Sequence, residues 1–594
     1  MSAAESSTRH STLDARNSAG TAVYLCHCGR NIAATVDVED VAESLAGRPG
    51  ISVVRHYPYM CSRPGQELIR KDLREGRASR VLVGACSPRM HESTFRKALA
   101  AEGFNPYLLC HVNVREQCSW VHADRKQATA KALSLVAAGL DRVVLQEPLS
   151  ASEAPVTPRA LVVGGGPAGL SAARELAAMG LELTLVEANP RLGGRAAELG
   201  RSFREGGPVA PWLEELVAGV SSLERIEILL GSRLVCLSGS PGNLEAQVET
   251  PSGVLTRTVG SVILSTGYDL YRPDDSAEGR PELGYGADPR ILTQEELEAL
   301  LRSGDDELRI EGEPIRSAAF LQCVGSRDRT TRGSHCSRIC CMVSVRQASQ
   351  LRERDPKVEV HVLYMDLRAY ARGAEEAYDA AGRKGVLFRR GNASEVFRRG
   401  HQRVVRFEDT LGGGTHELPV DLVVLACGAR PRESAPELAR LLKLSRSSDG
   451  FFLEAHPKLR PMETASDGIF LAGACQGPKS LDEAVASGRA AAMKAAIPLL
   501  KGRVDVDPVV AEIDTDRCAG CGLCISLCPA GAVALLDHLP RSFVNAALCK
   551  GCGACSAVCP SKAAGLRHYR FQQVSAEVAI VCGPLGGARA QAEG

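Results

Sequence analysis

The sequence predicts an α/β protein in which a doubly wound core stands between a smaller α/β domain and a C-terminal α+β module. Three observations predict it. Short apolar strands alternate with amphipathic runs from residue 21 to 147, a glycine-rich turn joins an apolar strand to a helix near residue 164, and two cysteine runs of identical spacing follow residue 505. With 594 residues the chain exceeds a single core. Apolar residues make up 44% and charged residues 24%, and 71 Lys plus Arg nearly cancel 70 Asp plus Glu. No global field therefore favours nucleic acid or an anionic membrane. No run of about 18 uninterrupted apolar residues occurs, so no transmembrane segment is expected.

Residues 1–20 are rich in Ser, Ala and Arg and lack an apolar stretch, which reads as a disordered tail; Glu5 and Asp14 argue against a transit peptide. Twenty-two Cys without a secretory signal point to a reducing, cytoplasmic compartment, where thiolates bind metal. In residues 21–147 the segments Ala22–Leu25, Ile51–Arg55, Val81–Val83 and Tyr107–Val112 read as strands of a small parallel sheet with crossover helices. Cys26 and Cys28 follow the first strand, Cys61 the second, Cys86 the third and Cys118 the fourth. All converge on the carboxyl edge, where open α/β folds bind ligands. Four of these five can hold a [4Fe–4S] cluster, with structural cysteines as the plainer alternative. Cys110 reads as a buried strand residue. His27, His91 and His122 are candidate ligands or proton donors, although a surface or core role suits each as well.

The core domain spans residues 156–500. The strand Ala160–Val163 runs into Gly164-Gly165-Gly166-Pro167-Ala168-Gly169 and then a helical segment, Leu170–Met179. Gly164 allows the tight turn, Gly166 lets backbone approach a pyrophosphate, and Gly169 lets helix and strand pack closely. Phosphates then sit at the positive helix N-terminus. The next strand, Glu182–Val186, ends at Glu187, the acid expected on an unphosphorylated ribose. The fingerprint alone does not separate FAD from NAD. Arg191-Leu192-Gly193-Gly194-Arg195 resembles the glycine-arginine segment of two-dinucleotide-domain flavoproteins such as thioredoxin reductase. Ser261–Gly267, with Thr266 and Gly267, resembles the strand that returns to the FAD domain in that family, and Thr464 through Ala474, with Gly473, its closing FAD motif. The resemblance implies a thioredoxin reductase-like fold and FAD as cofactor. Cys475 departs from it, standing where an Asp near the ribityl chain is usual.

Such flavoproteins carry a second glycine fingerprint for NAD(P)H. Here the corresponding strand, Ala318–Gln322, opens onto Cys323-Val324-Gly325-Ser326-Arg327, and Cys336, Cys340 and Cys341 follow in place of a fingerprint. Four thiols where a nicotinamide phosphate would dock suggest a [4Fe–4S] site at 323–341. Disulfides, disfavoured by the compartment, and unrelated structural cysteines are the alternatives.

At the C-terminus, Cys518, Cys521, Cys524 and Cys528 precede Pro529, and Cys549, Cys552, Cys555 and Cys559 precede Pro560. Each C-x2-C-x2-C-x3-C-P run supplies three thiolates to its own cube and its fourth Cys to the other. Cys518, Cys521, Cys524 and Cys559 are therefore expected on one [4Fe–4S] cluster, and Cys549, Cys552, Cys555 and Cys528 on the second. A structural zinc site takes two thiolates per short loop and fits this spacing poorly. The module is read as residues 505–575, and 576–594 as a C-terminal tail.

The segments GSHCSRICCM, QCVGSRD and AGACQGPKSLDEAVASG, with CHCGRNI, YMCSRPGQ, GACSPRMHE and REQCSWVH upstream, resemble the A-type iron–sulfur subunits of heterodisulfide reductase over residues 21 to 575. The resemblance implies that Cys323, Cys336, Cys340 and Cys341 ligate a cluster close to the flavin. It also implies an N-terminal cluster, for which Cys28, Cys61, Cys86 and Cys118 are favoured and Cys26 is held in reserve as an inward-facing strand residue. Lys479 matches a family lysine beside the isoalloxazine, where an ammonium favours an anionic reduced ring. Glu296 matches an acid on the other side of the ring. For both, a solvated side chain is the reading without the family. Larger members carry an inserted ferredoxin module, but between Gly200 and Arg316 this chain has one Cys, Cys236, so that electron branch is missing.

The expected protein is an FAD and iron–sulfur hub of a heterodisulfide reductase-like complex, electron-bifurcating in the family, with about four clusters. The resemblance implies partners of several kinds. A hydrogenase, formate dehydrogenase or NADH-oxidising flavoprotein feeds in pairs, ferredoxin takes low-potential electrons, and B- and C-type subunits or a quinone-linked one take the rest, within a homodimer-containing complex. Two rivals differ in class: a self-sufficient NAD(P)H:ferredoxin oxidoreductase, disfavoured by the missing second fingerprint, and a non-catalytic wire or scaffold.

Overall fold

The computed structural model describes residues 20–201, 207–274, 282–302, 308–328, 333–536 and 538–582. All but the last residue of the expected N-terminal tail, and residues 583–594, lie outside that set. The chain forms two compact units, one made of residues 1–153 with 505–594 and the other of 154–504.

In the first unit, β1 (Thr21–Cys26), β2 (Ile51–Tyr57), β3 (Arg80–Ala85) and β4 (Leu109–Asn113) form a parallel sheet of order β2-β1-β3-β4. The helices α1 (Val38–Leu45), α2 (Arg63–Arg74), α3 (Pro88–Ala101) and α4 (Arg125–Val144) cross over between or follow the strands. Every residue of β1 is buried, which suits a central strand covered on both faces.

The second unit contains two large sheets among its described residues. The first five-stranded parallel sheet comprises β5 (Arg159–Val163), β6 (Glu182–Val186), β7 (Ile226–Leu229), β11 (Ser261–Leu264) and β19 (Ile469–Leu471) in the order β19-β11-β5-β6-β7. Helix α5 (Pro167–Ala178) follows β5 directly, and α6 (Val209–Ser221) precedes β7. A meander of β8 (Arg233–Ser240), β9 (Asn243–Thr250) and β10 (Gly253–Val259) fills the segment without an inserted module, and Cys236 lies on its first strand. The second sheet has seven strands. They are β12 (Ile291–Thr293), β13 (Ser317–Val324), β14 (Glu359–Tyr364), β15 (Val386–Arg399), β16 (Gln402–Asp409), β17 (Thr415–Val420) and β18 (Leu422–Cys427), ordered β12-β18-β13-β14-β15-β16-β17. The five from β12 to β15 pair in parallel and the last two turn back antiparallel. Helices α7 (Gln294–Arg302) and α8 (Cys340–Arg354) belong to this sheet, and α9 (Leu481–Lys501), opened by a Ser480/Glu483 capping box, packs on α5. Two wound sheets, one with a glycine fingerprint, make the two-dinucleotide-domain α/β architecture.

The C-terminal module has β20 (Ala511–Ile513) paired with β23 (Ala564–Leu566), and β21 (Val533–Leu536) paired with β22 (Leu539–Val544). Between them stand the short helices α10 (Leu523–Ser526) and α11 (Ala554–Val558). The segment read from sequence as a tail after residue 575 is helical as far as Cys582, in α12 (Phe571–Cys582), which packs on α4. Within that stretch Glu577 accepts from Arg142 Nη1 at 3.2 Å, which corrects the expectation of a tail there, and three contacts just before it hold the same segment. Gln573 donates to the Leu145 carbonyl at 2.9 Å, His568 Nε2 to that of Glu147 at 2.9 Å, and Arg142 lies over the Tyr569 ring at 4.2 Å. These contacts join the N-terminal sheet and the C-terminal module, expected as separate domains, into one unit.

Candidate functional site

The turn after β5 is built around space for something other than protein. A Cβ on Gly164 (φ +110°) would meet the Ser265 carbonyl oxygen at 2.4 Å, and one on Gly169 the Gly164 carbonyl oxygen at 1.9 Å. At Gly166 the nearest atom is Gly194 Cα at 4.0 Å. Gly164 and Gly169 are thus glycine because protein presses on them, whereas Gly166 faces open space. It is also the N-cap of α5 and has no side chain over the first N–H groups, which leaves these donors for an anion. Glu187, 6% exposed, accepts from Gly165 N at 2.6 Å and Asn189 N at 2.8 Å, so its carboxylate is fixed at the end of β6. Thr266 Oγ1 is buried without a hydrogen-bond partner among the described residues. A polar atom of that kind, beside a cradle open at Gly166, fits a long dinucleotide with its own donors and acceptors.

One cavity continues from these residues to the far side of the unit. It is lined by Gly164, Gly166, Glu187, Gly194, Arg195, Thr266 and Gly267, and further on by Cys340, Cys427 and Lys479. Arg195 donates to Glu295 at 2.5 Å and lies over Tyr268. Gly473 does not line the cavity; its N–H donates to Ser487 Oγ at 2.7 Å, holding the loop before α9. Cys475 turns away, donating to the Leu264 and Ala472 carbonyls, and burial pushes its thiol up to about 11. Lys479 Nζ donates to Gln476 Oε1 at 3.2 Å, and burial lowers its pKa from the ordinary lysine value.

Glu296, expected beside the ring, is elsewhere. Its carboxylate folds back on its own helix start, accepting from Thr293 N at 2.7 Å, Thr293 Oγ1 at 2.9 Å and Tyr285 OH at 2.9 Å, and it does not line the cavity. The carboxylate that does so from the buried face of α7 is Glu298, which sequence reasoning missed. It accepts both Arg346 terminal nitrogens, at 2.8 and 2.5 Å, and the Gly200 N–H at 2.7 Å. Burial works against its charge, but Arg346 and Gln347 hold its pKa below the usual carboxylate value. The available signal was helix phase, since Gln294 and Glu298 share the face of Leu297 and Leu301.

The four cysteines of 323–341 meet at the carboxyl edge of the second sheet. Cys323 ends β13 with φ +64°, Cys336 Sγ accepts from Arg338 N at 3.3 Å, and Cys340 and Cys341 open α8. Burial raises the Cys323 thiol to about 11, and the charges of Cys341 and Cys336 add to that. The adjacent pair divides: a hydrogen bond from Cys340 and nearby Arg368 bring Cys341 down to about 7, while Cys340 is raised. Cys340 alone of the four also lines the dinucleotide cavity.

In the N-terminal sheet the structure changes the expected set. Cys26 Sγ accepts from Cys28 N at 3.3 Å and Met60 N at 3.4 Å, and Cys61 and Cys86 each lie within electrostatic reach of Cys28. Arg115 Nη1 donates to Cys28 Sγ at 3.2 Å. Cys118 is not among them: fully buried, its thiol donates to the Ala128 carbonyl at 3.1 Å. Cys26 lies at the very end of β1, where the strand has released its side chain to the loops, and so the residue held in reserve joins the group instead of Cys118. Of the three histidines, His27 contacts His56 at 2.9 Å and His122 the Cys118 carbonyl at 2.9 Å, neither of which is a contact to sulfur.

In the C-terminal module, backbone donors aim at sulfur. Cys518 accepts from Ser542 N at 3.4 Å, Cys528 from Ala532 N at 3.1 Å, Cys549 from Ala511 N at 3.4 Å and Cys559 from Ala563 N at 3.2 Å. Such bonds favour thiolate, and the Ser542 and Gly520 N–H groups lower the Cys518 pKa. Cys521 and Cys552 are exposed. Among the described residues no three His, Cys, Asp or Glu side chains converge closely enough for a single metal ion.

Comparison with known proteins gives two domain matches. Residues 162–211 match the NAD(P)-binding Rossmann-like domain and residues 511–560 the 4Fe-4S dicluster domain. The chain is 38% identical to the second A-type iron–sulfur subunit of CoB–CoM heterodisulfide reductase of Methanopyrus kandleri, over 87% of this chain and 91% of that one. It is 37% identical to the A-type subunit of the H(2):CoB-CoM heterodisulfide,ferredoxin reductase of Methanothermobacter marburgensis, over 94% and 96%. Among solved structures, thioredoxin reductase of Lactococcus lactis aligns with 58% of this chain and 99% of its own, at 17% identity and a TM-score of 0.41.

Proposed function

Because the chain belongs to the family of A-type iron–sulfur subunits of heterodisulfide reductase, we propose that it is the electron-distributing hub of a multisubunit complex, with one FAD and about four [4Fe–4S] clusters. It is a flavin-dependent iron–sulfur oxidoreductase whose cofactors are FAD and [4Fe–4S] clusters. The observation that carries the hub reading is the single cavity that begins at the Gly164–Gly169 cradle and ends at Cys340 and Lys479. Four cysteines that would hold a cluster stand at the sheet edge where such folds carry the second glycine fingerprint for NAD(P)H, and a cluster there would supply single-electron exchange in place of a nicotinamide.

FAD, when bound, supplies the exchange between electron pairs and single electrons. The residues supply the rest. Gly166 and the α5 N-terminus would hold the pyrophosphate and Glu187 the ribose, and Thr266 would satisfy a polar atom of the cofactor. Lys479 brings a desolvated ammonium into the cavity and so favours negative charge there. The buried Glu298–Arg346 pair fixes the opposite wall. Ligation is assigned to Cys323, Cys336, Cys340 and Cys341 for the flavin-side cluster, to Cys26, Cys28, Cys61 and Cys86 for the N-terminal one, and to the two C-terminal runs with their fourth cysteines exchanged. The family relation supports partner subunits that feed and drain the hub, with ferredoxin among the acceptors, and electron bifurcation as the mode of coupling. No helix among the described residues is long and apolar enough to cross a membrane.

The test is the electron donor. In the anaerobically loaded chain without partners, dithionite should bleach the flavin absorbance, whereas NADH and NADPH should leave it unchanged over the turnover time of an ordinary reductase. Rapid bleaching by either nicotinamide would make the chain a self-sufficient reductase and reject the hub reading.

A further inference from the structure

The flavin-side cysteines have an arginine built against them. Arg327 stands four residues after Cys323, at φ +57°, a conformation that non-glycine residues rarely adopt. Its backbone N–H donates to the His335 carbonyl at 3.0 Å, and its Nη2 donates to Asp366 Oδ2 at 2.8 Å from the loop after β14. Nη1 is buried with no hydrogen-bond partner among the described residues, and the guanidinium lies beside the sulfur of Cys323. A buried, unpaired N–H of a guanidinium costs free energy unless an acceptor arrives. Backbone strain of this kind persists only where the surroundings impose it, as at ligand sites. Arg368, near Cys341, adds a second positive charge, and Asp366, which also faces Arg390 at 3.7 Å, partly offsets both.

We propose that Arg327 is the residue that sets the reduction potential of the cluster at Cys323, Cys336, Cys340 and Cys341, by donating its free N–H to cluster or cysteine sulfur. The proposal rests on the reading that these four cysteines hold a cluster. A cubane on four thiolates is already anionic, and reduction adds one electron with no proton. A donated hydrogen bond and a fixed positive charge therefore stabilise the reduced form more than the oxidised one, and both are recognised controls of cluster potential. The C-terminal pair provides an internal reference, because its cysteines accept from backbone N–H groups and Cys521 and Cys552 are open to solvent.

The experiment is an EPR-monitored redox titration of the full, metal-loaded chain, wild type against Arg327→Met. One cluster should become at least tenfold harder to reduce at a fixed potential, a shift of about 59 mV for a one-electron couple. The C-terminal clusters should titrate as before, and Arg327→Lys should recover part of the shift. An unchanged titration with full iron content would overturn the proposal, and so would loss of that cluster in both variants, which would make Arg327 merely structural. If Arg327→Met does not fold, Arg327→Lys alone should still make that cluster harder to reduce, by a smaller factor, and an unchanged titration in it overturns the proposal. A wild-type chain that binds only the C-terminal pair would instead remove the cluster reading itself.

Discussion

Cys26→Ala is expected to lose about four iron atoms per chain, whereas Cys118→Ala is expected to keep the wild-type iron content. The two cysteines differ in what their sulfurs meet. Cys26 accepts two backbone N–H groups, stands 3.9 Å from the Pro58 carbonyl and lies in reach of Cys28 and Cys61. Cys118 spends its S–H on the Ala128 carbonyl inside the core formed by α4 and the sheet. Its replacement removes a small buried group and one weak hydrogen bond, a cost of about 1–2 kcal/mol that shows as reduced thermal stability and leaves metal in place. Iron and sulfide analysis of the two variants, prepared anaerobically side by side, gives the answer. Iron loss in Cys118→Ala with retention in Cys26→Ala would restore the set expected from sequence.

Gly169→Ala should abolish stoichiometric FAD binding while leaving the C-terminal clusters intact. The added methyl would stand 1.9 Å from the Gly164 carbonyl oxygen and 2.7 Å from Ser265 Oγ. Backbone cannot yield as a flexible side chain does, so α5 must move away from β5, at a cost of about 1–3 kcal/mol or more. That displacement carries the helix N-terminus off the pyrophosphate seat, and a tenfold or greater loss of FAD affinity follows for each 1.4 kcal/mol of lost binding. Gly219, where an added methyl would meet no atom within 4 Å, is the control: Gly219→Ala should keep FAD and gain slightly in stability. Flavin-to-protein ratios after gel filtration decide it, and full occupancy in Gly169→Ala would show that the turn tolerates the shift.

The parts legible in the sequence are those fixed by local spacing. Three thiolates within seven residues, or glycines on a strand-to-helix turn, reach one ligand wherever the rest of the chain lies. The place of Cys323 was legible from the strand that leads into it, since a cysteine after a parallel strand lies at the carboxyl edge. What was not legible depended on direction. Cys26 and Cys118 both follow strands, and only the loop conformation shows that one sulfur faces the other cysteines and the other faces α4. Glu296 and Glu298 lie two positions apart on one helix, so a choice made by motif landed on the residue that caps the helix, while phase selects its buried neighbour. The end of the helix Phe571–Cys582, from residue 576, read as a tail because the partner of Glu577, Arg142, is 435 positions away. The guanidinium of Arg327 beside Cys323 is a contact that no spacing announces.

The central claim is that iron–sulfur clusters occupy all three cysteine regions of a chain that also holds a single flavin. Anaerobic iron, sulfide and flavin analysis of the purified, fully loaded wild-type chain tests it most directly. The account expects about 16 iron atoms and one FAD per chain, from the C-terminal pair, the Cys323–Cys341 site and the N-terminal sheet. About eight iron atoms with one FAD would leave only the C-terminal pair and contradict it.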